Sequence, residues 1–336
     1  MRKRTMGRGV SRIQWIDYLK GICMISIIMN HLAWPEWYAR LLYPFQLAGF
    51  FFVSGYTFNI RTSFVDFLTV KIRTLLIPVL IFGLINTLIT YIYPGTVLMD
   101  RLIGLILQIP GRWDDLWFVA CLFSMSLIFY PIVKYANSNV LRFIIVTCLA
   151  SASGVYVMSH GANLPWHIEN ACILLPFMFL GYLAKRTDVG ERVMYKLRDV
   201  KVFAGILLLY ILLVCLMCNY PIDVHVLNYG CFPIFFLSAL VGTALIVAVS
   251  MRMERWADLR TLRWLQYVGK NTLIYYAFQS KVITGFVVVL ATLNISCSTY
   301  ASNLLVALLV CVVIVIPVEF INRFCPSIIG RQSTHK

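Results

Sequence analysis

A chain of 336 residues that is 60% hydrophobic and 13% charged, with a mean hydropathy of +0.82, is too apolar for a soluble domain. Its net charge of +15 comes from 29 Lys and Arg against 14 Asp and Glu. The basic residues sit between apolar runs, so the charge is a topology signal with an added attraction for anionic lipid or a phosphorylated cosubstrate; no nucleic-acid partner is implied.

The expected fold class is all-α, a polytopic bundle of about ten transmembrane helices forming one domain over 1–336. A span takes roughly 20 apolar residues. The pattern predicts spans over 13–34, 41–60, 74–93, 116–135, 140–158, 168–184, 201–218, 229–251, 268–292 and 303–323. The basic start, 1–12, resembles the opening of a secretory signal. The run after it is long, carries Asp17, Lys20 and His31, and lacks a small-residue cleavage site, so it is expected to stay as a membrane helix. Between the third and fourth spans, 99–108 is apolar enough to lie along the outer surface as a short helix.

Alternate connections are basic. The segments 1–12, 61–73, 134–142, 185–201 and 252–263, with the tail 324–336 and Arg323 before it, hold twenty-three of the 29 Lys and Arg. Cytoplasmic loops carry that excess, so both termini are expected in the cytoplasm. No Trp falls at a predicted span centre: Trp15, Trp256 and Trp264 lie near inner boundaries, and Trp34, Trp37, Trp113, Trp117 and Trp166 near outer ones. The ten Cys lie mostly inside spans, where Cys acts as a small hydrophobe. Cys215 and Cys218 have CxxC spacing at the end of an apolar helix, and neither they nor His160, His167 and His225, read as ordinary loop histidines, form a metal-ligand pattern.

No soluble domain is apparent, so chemistry must be built between helices. The first is the richest, because ionisable groups inside a membrane are costly and usually functional. Lys20 and His31 are eleven residues apart, which returns them to nearly one face at roughly 16 Å. Asp17 lies one turn below Lys20. The stripe leads from a cation at the inner end to an imidazole at the outer end.

The opening WIDYLKGICMISIIMNH is followed by PFQLAGFFFVSGYTF, DDLWFVACLF, LLPFMFLGYL and VGKNTLIYYAF. In this order the chain resembles the integral-membrane O-acyltransferases of acyltransferase family three, particularly those that acetylate sugars of surface polysaccharides. That resemblance implies an acyl-CoA donor, acetyl-CoA above all, and a hydroxyl of a cell-surface or lipid-linked glycan as acceptor. A thioester is already activated, so the resemblance implies no permanently bound cofactor and no metal. His31 is then the base that takes the hydroxyl proton. Lys20 positions the CoA arm, and Arg61, Lys71 and Arg73 attract its phosphates. In the family the cation eleven before the helix-one His is commonly Arg; here it is Lys20, a point charge without the guanidinium fork. The ninth helix often carries a second His where this chain has Gln279.

Asp17 is assigned the orienting of Lys20 or a cap on the helix start, and Glu169 is a candidate orienter of His31. Ser54 and Gly55 either let helices approach or line the acyl tunnel; Ser54 has no adjacent base that would make it a nucleophile. Asp114, Asp115 and Trp117 are candidate sugar contacts, carboxylates for hydroxyls and indole for the ring. Lys281 is expected to meet the acceptor or a partner acid such as Glu319. The expected setting is the bacterial cytoplasmic membrane, with its lipids around the bundle and homo-oligomerisation left open. Two other readings compete: a transporter or flippase of glycan precursors, with Lys20, His31 and Lys281 along a pathway, and a non-catalytic subunit of a polysaccharide-assembly complex.

Overall fold

The computed structural model describes residues 13–32, 36–60, 63–91, 97–110, 115–136, 139–217, 222–294 and 300–331. The basic start 1–12 and two expected site residues, Arg61 and Asp114, lie outside them. Among the described residues the regular secondary structure is all helix apart from one isolated bridge between Asp223 and Asn228. Backbone groups in lipid must be satisfied within the segment, which helices do.

The helices, in chain order, are α1 (Gln14–Asn30), α2 (Glu36–Tyr56), α3 (Phe64–Tyr91), α4 (Leu98–Leu107), α5 (Trp117–Ala136), α6 (Val140–Ser159), α7 (Ile168–Ile173) and α8 (Leu175–Arg186). They continue with α9 (Asp188–Lys196), α10 (Val200–Leu216), α11 (Phe232–Trp256), α12 (Arg260–Lys270), α13 (Thr272–Thr292) and α14 (Tyr300–Phe324). Six of them are long and apolar enough to cross a membrane, and two bent pairs, α7 with α8 and α9 with α10, raise that to eight. Outside that set, α1 and α2 form the middle of the bundle: Leu19, Cys23, Met24, Ile28 and Phe51 are wholly buried. By contrast α6 and α10 turn Leu141, Ile145, Leu149, Leu208 and Leu212 outward, toward lipid. Every predicted span contains a helix, and 168–184 is broken in two.

Three departures from straight helices have local causes. α3 begins at Phe64, ten residues before the predicted span, where the Ser63 hydroxyl accepts the Val65 N–H. Lys71 and Arg73 therefore sit on a helix and not in a loop. Within it, Ile72–Leu76 is a π turn. Pro78 follows, with no N–H and a ring that crowds the carbonyl four residues back. The α7–α8 break, 59°, falls just before Pro176, which tolerates the first turn of a helix but not its middle. The α9–α10 corner, 86°, is fixed by the Asp199 side chain capping α10 and by Arg252, which donates to the carbonyls of Leu197 and Asp199.

α2 packs extensively on α8. A Cβ on Gly55 would strike the Met178 carbonyl oxygen, and one on Gly181 the Phe52 carbonyl oxygen. The two glycines let backbones touch, as small residues do in membranes. The bundle has a basic end, where the start of α1 meets Glu254 through the Trp15 N–H, and an opposite end that holds His31. At that opposite end α4 coincides within one residue with the short helix expected over 99–108 and packs Leu105 against Gly83 of α3.

Candidate active site

α1 stops at Asn30, short of the predicted boundary, and His31 is its C-cap. The ring is therefore exposed at a helix end and not packed within a helix. His31 Nδ1 lies 2.8 Å from the Ile27 carbonyl, one of the last-turn oxygens that lack a helical partner. A carbonyl only accepts, so Nδ1 carries the proton, and the neutral ring keeps its lone pair on Nε2. The helix itself thus fixes the tautomer a general base requires.

His31 opens on a cavity of about 360 Å³ whose polar wall is Asn30, Tyr43, Gln46, Trp117, Asp223, His225 and Tyr276. Asn30 donates to Gln46 Oε1 at 2.9 Å, while its own Oδ1 is buried with no hydrogen-bond partner among the described residues. A buried acceptor of that kind is suited to a ligand hydroxyl. Across the cavity the Tyr43 hydroxyl donates to Asp223 Oδ1 at 3.0 Å, and the same oxygen accepts the His225 N–H at 3.1 Å. The loop between α10 and α11 is thereby tied to α2. The Trp117 ring lies 5.2 Å from that of His225 and 5.3 Å from that of His167, which is fully buried. Trp166 and His167 both adopt left-handed backbone angles, φ 61° and 50°, uncommon for such side chains.

A second cavity of about 220 Å³ opens toward the basic end and is lined by Lys20, Ser54, Thr74, Phe118, Thr272 and Tyr276. Lys20 Nζ is 3.7 Å from buried Asp17. The Ser54 hydroxyl donates to the Phe50 carbonyl at 2.8 Å, so its proton is committed to its own helix. Tyr276 lines both cavities, and its hydroxyl accepts the Phe118 N–H at 3.3 Å, a first-turn donor of α5.

The acyltransferase-domain model of acyltransferase family three matches residues 13–320. The chain belongs to that family. No curated protein matches it, and no solved structure does. This membrane acyltransferase therefore carries, along one helix, a cation-bearing cavity and an imidazole-bearing cavity that meet at a tyrosine.

The remaining expected residues of the acyltransferase are spread around that pair. Arg73 is exposed on the π turn, beside Thr74 and Leu75 of the inner cavity wall. Trp117 is in the outer wall. Asp115 pairs with Lys281 at 2.7 Å; Glu319 instead accepts the Tyr267 hydroxyl. Glu169 is buried in α7, where Oε2 accepts the Leu164 N–H and Oε1 has no partner among the described residues. Gln279 is buried on α13 with Oε1 likewise unpartnered. Gly55 is a packing position, whereas Ser54 is at a cavity wall.

Sequence reasoning missed Asn30, Tyr43, Gln46, Asp223, His225 and Tyr276. Asn30, Gln46 and Tyr276 sit inside the motifs quoted above, Asn30 directly beside His31. Asp223 and His225 carry only the signal of a polar loop.

Proposed function

We propose that this acyltransferase moves an acyl group, acetyl in the simplest case, from cytoplasmic acyl-CoA to a hydroxyl of a cell-surface or lipid-linked glycan. The bundle would span a bacterial cytoplasmic membrane ten times, with both termini inside. The observation that carries the reading is the pair of cavities that share Tyr276 in their walls, with Lys20 lining one and His31, its Nδ1 held by the Ile27 carbonyl, lining the other.

In this reading acyl-CoA approaches from the basic end, its phosphates near Arg61, Lys71 and Arg73 and its arm beside Lys20. The acceptor sugar lies against Trp117, with hydroxyls toward Asn30 Oδ1 and the Asp223 loop. His31 Nε2 takes the proton of the reacting hydroxyl as its oxygen bonds to the thioester carbonyl carbon. The tetrahedral intermediate collapses with cleavage of the C–S bond, and the imidazolium returns the proton to the departing thiolate. The products are the O-acyl glycan and free CoA, with atoms and charge balanced. The Tyr276 hydroxyl, at the first turn of α5, supports the developing oxyanion.

The test is free-CoA release from acetyl-CoA by the purified protein with a lipid-linked glycan extract. Glycan-dependent release that falls by roughly 10²–10⁴-fold in His31→Ala supports transfer. Folded wild-type protein that releases no CoA with several acyl-CoAs and extracts, yet moves unmodified substrate in vesicles, would establish the transporter reading instead.

A further inference from the structure

At the basic end, α9 packs on the end of α8 and, with α8 and the middle of α11, borders a groove of about 390 Å³. That volume falls in the range of ligand pockets, roughly 300–1,000 Å³. Its walls are almost wholly carbon: Leu180 and Leu183 of α8, Val189 and Val193 of α9, and Ala244 and Val247 of α11. Val189 is 69% exposed and Val193 50%, so the protein leaves this apolar face to another molecule.

The sequence explains why α9 lies flat. A Cβ on Gly190 would strike the Leu183 carbonyl oxygen, so only glycine lets α9 cross the end of α8 at this distance. The 86° corner sets α9 nearly at right angles to α10, so a bilayer crossed by α10 has α9 near its plane. Its residues split by face: Gly190 and Met194 are buried, while Arg192, Tyr195 and Lys196 are exposed. A helix with this division rests at the boundary between headgroups and acyl chains.

Charge identifies the occupant. The stretch from the end of α8 through α9 to the start of α10, which supplies two walls of the groove, carries Lys185, Arg186, Arg192, Lys196, Arg198 and Lys201 against Asp188, Glu191 and Asp199. Asp188 and Glu191 are in the first turn of α9, where the helix dipole answers them, and Asp199 caps α10. Arg198 reaches Glu254 at 3.8 Å, Lys185 covers the Tyr56 ring, and Arg186 donates to the Phe58 carbonyl. Arg192 and Lys196 have no ion pair among the described residues. An apolar slot under an interfacial helix with two uncommitted cations matches an acyl chain attached to an anionic headgroup.

We propose that this groove is a binding site for an anionic glycerophospholipid, one acyl chain between α8, α9 and α11 and the phosphate against Arg192 and Lys196. The site is separate from the transfer cavities and does not depend on the reaction assigned to them.

The test uses the full-length protein purified in detergent and titrated with phosphatidylglycerol or phosphatidylcholine of the same chains, read by thermal unfolding and by native mass spectrometry. Phosphatidylglycerol is expected to raise the midpoint by on the order of 3 °C more than phosphatidylcholine. The double variant Arg192→Gln/Lys196→Gln, on the exposed face, should unfold at the wild-type midpoint without lipid and lose that difference. Ala244→Trp, which fills the groove, should retain fewer bound phosphatidylglycerol molecules in the mass spectrum. Equal effects of the two lipids on wild type, or a phosphatidylglycerol response that survives the double variant, overturns the proposal. So does a response to polyisoprenyl phosphate alone.

Discussion

Lys281 Nζ stands 2.7 Å from Asp115 Oδ2, which ties α13 to the residue two before α5. Both side chains are largely buried, at 16% and 28% exposure, and the pair explains how an otherwise apolar helix accommodates a lysine. It also holds the α5 start, with Trp117 and the Phe118 N–H, against the face of α13 that bears Tyr276. Removing one partner leaves the other charge buried. Lys281→Met and Asp115→Leu should each destabilise the protein, and the double variant should cost less than their sum by about 0.5–3 kcal/mol. Additive shifts in thermal unfolding would show that the pair is not coupled.

The loop anchor predicts a kinetic split. Asp223 Oδ1 holds both the Tyr43 hydroxyl and the His225 N–H, on the outer cavity and away from the inner one. Asp223→Ala should raise the KM for the glycan acceptor roughly 10-fold, equivalent to about 1.4 kcal/mol, and leave that for acyl-CoA unchanged. Steady-state kinetics with each substrate varied in turn checks this. A matching rise for acyl-CoA would mean that the loop serves the whole fold and not the acceptor.

Tyr276 gives a sharper variant because the substitution is one atom. Tyr276→Phe removes the oxygen at the junction of the cavities and leaves the ring that walls them. In the proposed role kcat falls on the order of 10²-fold with little change in either KM. An unchanged kcat would exclude the hydroxyl from the chemistry.

What could be read from the sequence follows from what a single helix can encode. The Asp17–Lys20–His31 stripe was legible because a 3.6-residue period fixes which side chains share a face. The same reasoning carried His31 inside a helix, whereas the helix ends at Asn30 and gains its base through the Ile27 carbonyl. Asp223 and His225 lie nearly 200 residues from His31, and only the packing of α2, α5 and α11 brings them to it. Glu169 accepts the Leu164 N–H in a turn within its own segment, which spacing does not reveal. The π turn before Pro78 had a sequence signal in that proline.

The α2–α8 contact supplies the prediction that separates folding from chemistry. Gly55 and Gly181 face backbone carbonyls and not flexible side-chain tips, so neither helix can yield to a new Cβ by a rotamer change. Ser54, one residue from Gly55, lines the inner cavity, so spreading the helices also moves that wall. Gly181→Val should destabilise the protein by about 2–4 kcal/mol, in the range for overpacking and for other severe core substitutions. Ser54→Ala removes only a hydroxyl already bonded to the Phe50 carbonyl. It should leave stability within about 1 kcal/mol and retain CoA release, because the hydroxyl is no nucleophile. Loss of CoA release in well-folded Ser54→Ala would instead assign that hydroxyl to the reaction and argue for an acyl-enzyme.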